Sequence, residues 1–393
     1  MGIFTRKKKQ QLEASIIPIN SVNVFSDFGG NILNSDIVRI CIDKIASHAS
    51  KLKPRYVKQE GSAITEQKGS LAFLLKHQPN ELMSTSAFLY KVVSLLFLNN
   101  NVFIYPKYDE TNDIIALYPL KPHTVQVKKD TSGAIFLELF FNDGTSYTLP
   151  YESLIHLRRY FYQNELFGGT GAVTDHSAIL KTIVINDSML QGIDNAIKSS
   201  FQIKGLLKMN AMLSQEDKNK QKDLFDKALN ASIKDSKSAI IPVDLKADYV
   251  PISNDPKLVD APTLDFLNKK ILSYFGVSEP IYLNKYSEEE FNAFYEGTIE
   301  PLSIQFSEEF SRILLSRAKL EEGEEIIFYS ERLQYASWNT KVAAIEKLMG
   351  LGLMSLNESR ALLGFEPVKD GDKRLQSLNF VDQTKANQYQ VGD

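Results

Sequence analysis

Five histidines and a single cysteine carry the readiest chemistry in this chain, and their spacing limits it. A zinc or iron centre gathers three or four His, Cys or acidic ligands, usually with some of them a few residues apart. His48, His77, His123, His156 and His176 show no such spacing, and Cys41 has no second cysteine for a disulfide or a thiolate site. Gly168-Gly169-Thr170-Gly171 suggests a phosphate-binding loop. A P-loop would continue into Gly-Lys, but Ala172 follows, and a dinucleotide loop would need glycine where Thr174 stands. There is no Gly-x-Ser-x-Gly elbow. Carboxylates are plentiful, yet spacing marks no pair as acid and base. No catalytic residue, metal or cofactor is expected; a hydrolase with an unrecognised acidic site is one alternative reading.

The 393 residues exceed one compact core and suggest two to three domains, and 43% hydrophobic with 24% charged residues describes a folded chain. A net charge of -3 offers no overall attraction for nucleic acid, so any DNA contact must be local or weak. No apolar run approaches the ~18 residues of a membrane span. Arg6-Lys7-Lys8-Lys9 is followed by polar Gln10, Gln11 and Glu13, where a signal peptide would place its apolar core. Gly2 would suit myristoylation, but Arg6 stands where Ser or Thr is required. Residues 1–27 read as a flexible basic arm. A peripheral membrane protein held by that arm is a second alternative. With one cysteine, an intracellular assembly environment is expected.

Several elements would have to position any site. Ile37, Ile40, Cys41 and Ile45 recur at helical spacing after Ser35-Asp36, and this helix should end before Pro54, with Cys41 in the core. Helices follow over 71–75 and 84–98. From 101 to 160 the period becomes two, with Ser132-Gly133 and Asn142-Asp143-Gly144 as hairpin turns, which predicts one antiparallel sheet against the helices. A helix over 174–201 carries one apolar stripe. Residues 202–257 look like an insertion, with a lysine-rich helix opened by Ser214 and Asp217 and short strands near 239–241 and 249–252. A helix over 263–275 comes next.

That helix should end at Gly276, which suits the left-handed position after a helix, and Pro280 bars its continuation. Ser287 and Glu290 form a capping box that opens the next helix, to about 317. Pro301 lies inside it and should kink it. Residues 278–286 are then a loop tied between two helix ends. A strand at 326–329 should return to the first sheet, and helices over 340–350 and 356–364 finish the chain, with Asn357 a plausible cap.

Five segments resemble phage portal proteins. Ile271-Leu272-Ser273-Tyr274-Phe275-Gly276-Val277-Ser278-Glu279-Pro280 is similar to the family's "Ile-Ala-x-x-Phe-Gly-Val-Pro" turn, with Ser278-Glu279 inserted before the proline. Thr298-Ile299-Glu300-Pro301 is similar to its "Thr-Leu-x-Pro" break. Gln78-Pro79-Asn80 looks like the punctuation before a buried helix, and Leu154-Ile155-His156-Leu157-Arg158 like an "Ile-Leu-His-Ile-Arg" strand. Gly352 to Arg360, containing Ser355, Asn357 and Glu358, followed by Gly364-Phe365-Glu366-Pro367, resembles a C-terminal signature. The resemblance spans roughly 35–381.

It implies an α+β portal fold assembled as a ring, with an α/β wing at 28–171 rejoined by 318–340, and stem helices within 172–201 and 258–277. It also implies a small α/β clip at 202–257, a tunnel loop at 278–286, a long kinked helix at 287–317 and a helical crown with the tail at 341–393. A dodecameric ring at the capsid portal vertex of the virion, assembled in the host cytoplasm, would conduct double-stranded DNA during packaging and ejection. Its partners would be the terminase large subunit, the head-tail connector, and the major capsid and scaffold proteins, with no membrane. Ile281, Tyr282, Leu283, Asn284, Lys285 and Tyr286 would face DNA in the tunnel, and Lys218, Lys220, Lys222, Lys227 and Lys234 would dock partners on the clip.

Overall fold

The computed structural model describes residues 17–22, 35–61, 63–162, 165–169, 176–202, 205–209, 214–217, 219–220, 223, 227, 247–251, 261–329 and 338–376. The chain divides into two units, one of 1–181 with 269–393 and one of 182–268.

The first unit opens with strand β1 (Ile17–Val22) and helix α1 (Asp36–Ala49). Ile37, Val38, Cys41, Ile42 and Ile45 are buried along α1, the stripe its helical period demands. Burial pushes the Cys41 thiol up to about 12, so it is a small core residue and an inert nucleophile. Then come β2 (Lys53–Glu60), β3 (Ala63–Glu66), α2 (Ser70–Lys76) and α3 (Thr85–Asn99), which packs on α1. Ser84 caps α3 by accepting from the Ala87 N–H at 3.4 Å. Asn100, at φ 56°, ends it in the left-handed region that asparagine tolerates.

Strands β4 (Asn101–Tyr108), β5 (Ile114–Leu120), β6 (Thr124–Lys129), β7 (Ile135–Phe140), β8 (Ser146–Pro150) and β9 (Ile155–Arg158) follow. They form two antiparallel sheets, β5-β4-β9 and β1-β6-β7-β8, where one was expected. The break falls at Lys121-Pro122-His123, where Pro122 has no N–H to carry a ladder onward. Both sheets contribute to one core, which includes Phe103, Leu120, Val125, Leu137 and Leu139. β1 pairs with β6 from Ile17 to Val22, so these residues of the expected arm belong to a sheet. The basic run Arg6 to Lys9 lies outside the described residues.

The second unit holds most of α4 (Ser177–Gln202), the antiparallel pair β10 (Gly205–Met209) and β11 (Ala247–Pro251), and the start of α5 (Ala261–Phe275). Its buried residues include Ile183, Asn186 and Leu267, and the Asn186 Nδ2 donates to the Asn268 Oδ1 at 2.8 Å. The expected strand near 239–241 lies outside the described residues.

Back in the first unit are α6 (Glu279–Tyr282), α7 (Glu288–Phe294), a π-helical turn (Tyr295–Ile299), α8 (Glu300–Leu314), α9 (Arg317–Glu321) and β12 (Glu324–Tyr329). The π turn is how the chain absorbs Pro301. A proline ring collides with the carbonyl four residues back, here Gly297, and widening the turn there relieves the contact. β12 pairs with β2, giving a sheet of order β12-β2-β3, and does not join the strands of 101–160 as expected. Its other edge is satisfied by α8: Ser307 Oγ accepts from the Phe328 N–H at 2.9 Å and Ser311 Oγ from the Ile326 N–H at 2.8 Å. The chain continues with α10 (Trp338–Gly350), β13 (Leu351–Ser355), α11 (Leu356–Leu362) and β14 (Arg374–Gln376). The β13-β14 pair corrects the expectation of helices alone in this region.

Candidate functional site

The turn after α5 and the π turn form one junction. Gly276 takes φ 74°, its N–H reaches the Ser273 carbonyl at 3.1 Å, and the Val277 N–H reaches the Leu272 carbonyl at 3.0 Å. These two bonds are a Schellman cap, and Leu272 and Val277 provide its buried apolar contact. The Thr298 hydroxyl then donates to the Gly276 carbonyl at 2.8 Å. A Cβ on residue 276 would lie 2.7 Å from the Thr298 Oγ1. The glycine of one motif and the threonine of the other are therefore a single contact between residues 22 apart.

A polar network adjoins this junction. Tyr274 donates its hydroxyl to the His176 Nδ1 at 2.7 Å, because the His176 Nε2 donates to the Leu98 carbonyl at 3.1 Å. Burial lowers His176 to about 3, so its ring is neutral. Tyr160, in the left-handed region at φ 56°, donates to the Tyr274 carbonyl at 3.0 Å. Arg159 lies over the Phe97 ring at 3.7 Å. Arg158, Arg159, Tyr160, Gly276, Thr298 and Gln305 are among the residues lining a cavity of about 330 Å³.

A second cluster explains His156. It is fully buried, stacked on Phe103 at 4.3 Å, and its Nε2 lies 3.0 Å from the Asn101 Oδ1. Asn101 donates to the Gly168 carbonyl at 2.9 Å and accepts from the Gly168 N–H at 2.8 Å. With Oδ1 an acceptor, His156 must donate through Nε2 and take the Tyr151 hydroxyl proton at Nδ1, 3.1 Å away. Gly168 is needed because a Cβ there would meet the Arg159 carbonyl at 2.2 Å. His156 is thus a core histidine. Sequence reading missed Asn101, Tyr160 and His176; the run Asn99-Asn100-Asn101 at a helix-to-strand change was the visible sign of the first. Among the described residues, no three His, Cys, Asp or Glu side chains come together as a metal site.

The segment 278–286 is more ordered than the expected loop. It contains α6, and its six candidate residues divide. Ile281 is fully buried, which corrects its assignment to a tunnel wall, and Tyr282 is half-buried. Leu283, Asn284, Lys285 and Tyr286 are exposed. Asn284 accepts from the Lys44 Nζ at 2.7 Å, and Tyr286 stacks on Phe291 at 5.7 Å beside His48, so the segment is fastened to α1 and α7. The capping box of Ser287 with Glu290 is present. On the insertion, Lys220 and Lys227 are exposed, while Lys218, Lys222 and Lys234 lie outside the described residues.

At the C-terminal end Ser355, and not Asn357, caps α11, in a capping box with Glu358. Asn357 is instead a clasp: its Nδ2 donates to the Val368 carbonyl at 3.1 Å and the Asp372 Oδ1 at 2.8 Å, and its Oδ1 accepts from the Val368 N–H at 2.8 Å. Arg360 donates from Nε to the Glu366 carbonyl at 2.7 Å.

The phage portal protein family matches residues 36–364, a span that takes in both the junction and the start of this clasp. The chain belongs to the phage portal protein family. Portal proteins are structural components of the phage particle that serve DNA packaging, and this membership sets the hydrolase reading aside. Lactococcus phages p2 and SK1 each have a relative named "Probable portal protein", 26% identical over 358 residues and covering 86% of this chain and 83% of the relative. The neck of an empty gene transfer agent (GTA) particle, computed with C6 symmetry, contains a chain of similar fold, with a TM-score of 0.64 and 14% identity over 89% of this chain and 97% of that one. The neck of the native particle, computed with C12 symmetry, gives a TM-score of 0.62 at 14% identity over 88% and 94%. This portal protein is a mixed α+β chain, and no helix among its described residues is long and apolar enough to cross a membrane.

Proposed function

We propose that twelve copies of this portal protein close into a ring at the capsid vertex, through which double-stranded DNA enters during packaging and leaves during ejection. Family membership over 36–364 carries this reading, and the likeness to a neck chain solved with C12 symmetry supports the copy number. A net charge of -3 suits a conduit, because DNA that must slide should meet few fixed cations. Within the ring, residues 202–257 are the clip that docks the terminase large subunit and later the head-tail connector, with Lys220 and Lys227 offering positive charge. The crown of 341–393 and the wing of 28–171 face the capsid and scaffold proteins. The exposed residues Leu283 to Tyr286 are the part of 278–286 that touches DNA, and their fastening to α1 and α7 makes them a stiff rim.

Native mass spectrometry and electron microscopy of the purified chain test the ring. Twelve copies of 44.4 kDa give a closed particle of about 530 kDa. Monomers and dimers alone, at every concentration and salt, would overturn the proposal. Lys220→Glu with Lys227→Glu is expected to leave rings intact and lower the amount of DNA packaged in a complementation assay; unchanged packaging would remove those residues from the docking surface.

A further inference from the structure

Arg159 carries a charge that no described carboxylate balances. Its guanidinium lies between the Phe97 ring at 3.7 Å and the Tyr160 ring at 4.8 Å, and its Nη2 donates to the Tyr160 hydroxyl at 3.3 Å. The Nη1 is sealed from water and has no hydrogen-bond partner. The adjacent Arg158 differs, with Glu309 at 3.7 Å. Burial holds Arg159 below the usual arginine value, the sign of a desolvated charge. Such a charge is costly until a counter-charge reaches it. The cavity of about 330 Å³ lies alongside, and Ser273, Thr298 and Gln305 supply further polar groups to its wall.

We propose that this cavity receives an acidic side chain from a neighbouring copy of the chain, which pairs with Arg159 across each subunit contact. The idea rests on the ring reading above. Two observations and the geometry of a ring favour a protein carboxylate. The recess suits one side chain, whereas a nucleic-acid strand calls for an open groove with several cations. Exposed apolar residues stand beside the cavity-lining ones: Phe161 is 47% and Tyr162 66% exposed, next in sequence to Tyr160, and Ile304 is 53% exposed beside Gln305. Arginine with exposed aromatics is the composition of protein contact surfaces. A ring also sets one face of each copy against a different face of the next, so a cation on one side meets whatever the other presents. The chain holds 48 acidic against 45 basic residues to present.

Arg159→Lys keeps the charge and adds an amine that a water-soluble carbodiimide can couple to a touching carboxylate, forming an amide with loss of water. Rings assembled from equal parts of light and nitrogen-15-labelled variant chains would be coupled, digested and read by peptide mass spectrometry. The expected product joins the introduced amine of one isotope to an Asp or Glu of the other. Coupling confined to one isotope, or none in intact rings, overturns the proposal. Ser273→Glu gives an independent reading at an exposed position on the cavity wall, supplying a competing carboxylate from within. It should raise the concentration for half-assembly about tenfold or more without lowering the monomer's unfolding temperature, since the introduced carboxylate balances Arg159 from within; unaltered assembly counts equally against the idea. A wild-type chain that forms no rings defeats the ring reading and this inference with it, whereas wild-type rings beside indifferent variants defeat this inference alone.

Discussion

The turns that end α5 and α11 share a backbone plan and differ in what they are fastened to. At Gly276 and Gly364 a positive φ glycine closes the helix, and the next residue's N–H reaches the carbonyl five residues back, Val277 to Leu272 and Phe365 to Arg360. The first turn is set in the core, with Leu272 5% and Val277 3% exposed and the Thr298 hydroxyl on its glycine carbonyl. The second faces solvent, with Phe365 52% exposed, and its loop is held by the side chains of Asn357 and Arg360. Both lie within or next to segments that resemble the portal family. One is constrained by packing and the other by hydrogen bonds, so substitutions should act on them with different strength.

The largest effect is expected from Gly276→Ala. A left-handed conformation costs a non-glycine residue about 1–2 kcal/mol, and the methyl would displace a threonine hydroxyl 2.7 Å away, for a total of about 3 kcal/mol. Denaturant unfolding of the monomer measures this. Adding Thr298→Ala should return part of the loss, because it removes the crowding and leaves only the backbone strain. A double variant as unstable as the sum of the two single ones would show that the glycine and threonine do not act as one contact.

Acid should separate the two regions next. His176, bonded to Tyr274 beside the first turn, is lowered from 6.5 to about 3 by burial, so the folded state holds it neutral while the unfolded chain protonates. Its contribution is complete above about pH 6.5 and declines as pH falls toward 3, at up to about 1.4 kcal/mol per pH unit. His48, lowered to about 4, acts in the same direction. At the second turn, Glu358 is held below the usual carboxylate value by the Ser355 N–H, so its contribution persists down to the carboxylate range and is lost only below it. Proton exchange of tyrosine and backbone signals near Tyr274 should therefore accelerate at a higher pH than that near α11. Simultaneous acid opening of both would remove the distinction.

What was legible in the sequence divides along similar lines. The cap at Gly276, the box at Ser287 and Glu290 and the core role of Cys41 follow from rules that span a few residues, and these the structure bears out. The Ser355-x-x-Glu358 spacing was equally visible and was passed over for Asn357, since both residue types serve as caps. Strands β2 and β3 were not read, because Pro54 stood as a helix stop and the charged run around Tyr56 and Val57 shows its alternation only as burial. The partner of β2, Glu324–Tyr329, lies far along the chain, and no local pattern selects among strands for pairing. The cavity beside Arg159 draws on α3, β9, the turn after α5, the π turn and α8, so no single stretch reveals it. The buried position of Ile281 was hidden similarly, since an apolar residue in a predicted loop suits a channel wall or a core.

Asn357→Ala tests the hydrogen-bonded side. It removes three bonds that join α11 to the loop before β14, each worth about 0.5–1.5 kcal/mol net where water can replace it, so about 2 kcal/mol is expected. The loss should be local. Amide exchange should rise at Val368 while the amides of Gly276 and Val277 keep their protection, and equal loosening of both would show that the two turns belong to one cooperative unit.

Gly364→Ala should have the smallest effect, and it isolates what the backbone alone contributes. The φ of 80° is as unfavourable for alanine as the 74° at Gly276, but nothing lies within 4 Å of the position a Cβ would take. Only the left-handed penalty remains, about 1 kcal/mol, and the Arg360 bond to the Glu366 carbonyl holds the loop in place from the other side. The ratio between the two glycine substitutions is therefore the measurable form of the comparison. If Gly364→Ala were as costly as Gly276→Ala in the same denaturant titration, the Thr298 contact would add nothing. The likeness of the Phe275-Gly276-Val277 and Thr298-x-x-Pro301 segments to the family would then have to be explained by something other than their meeting.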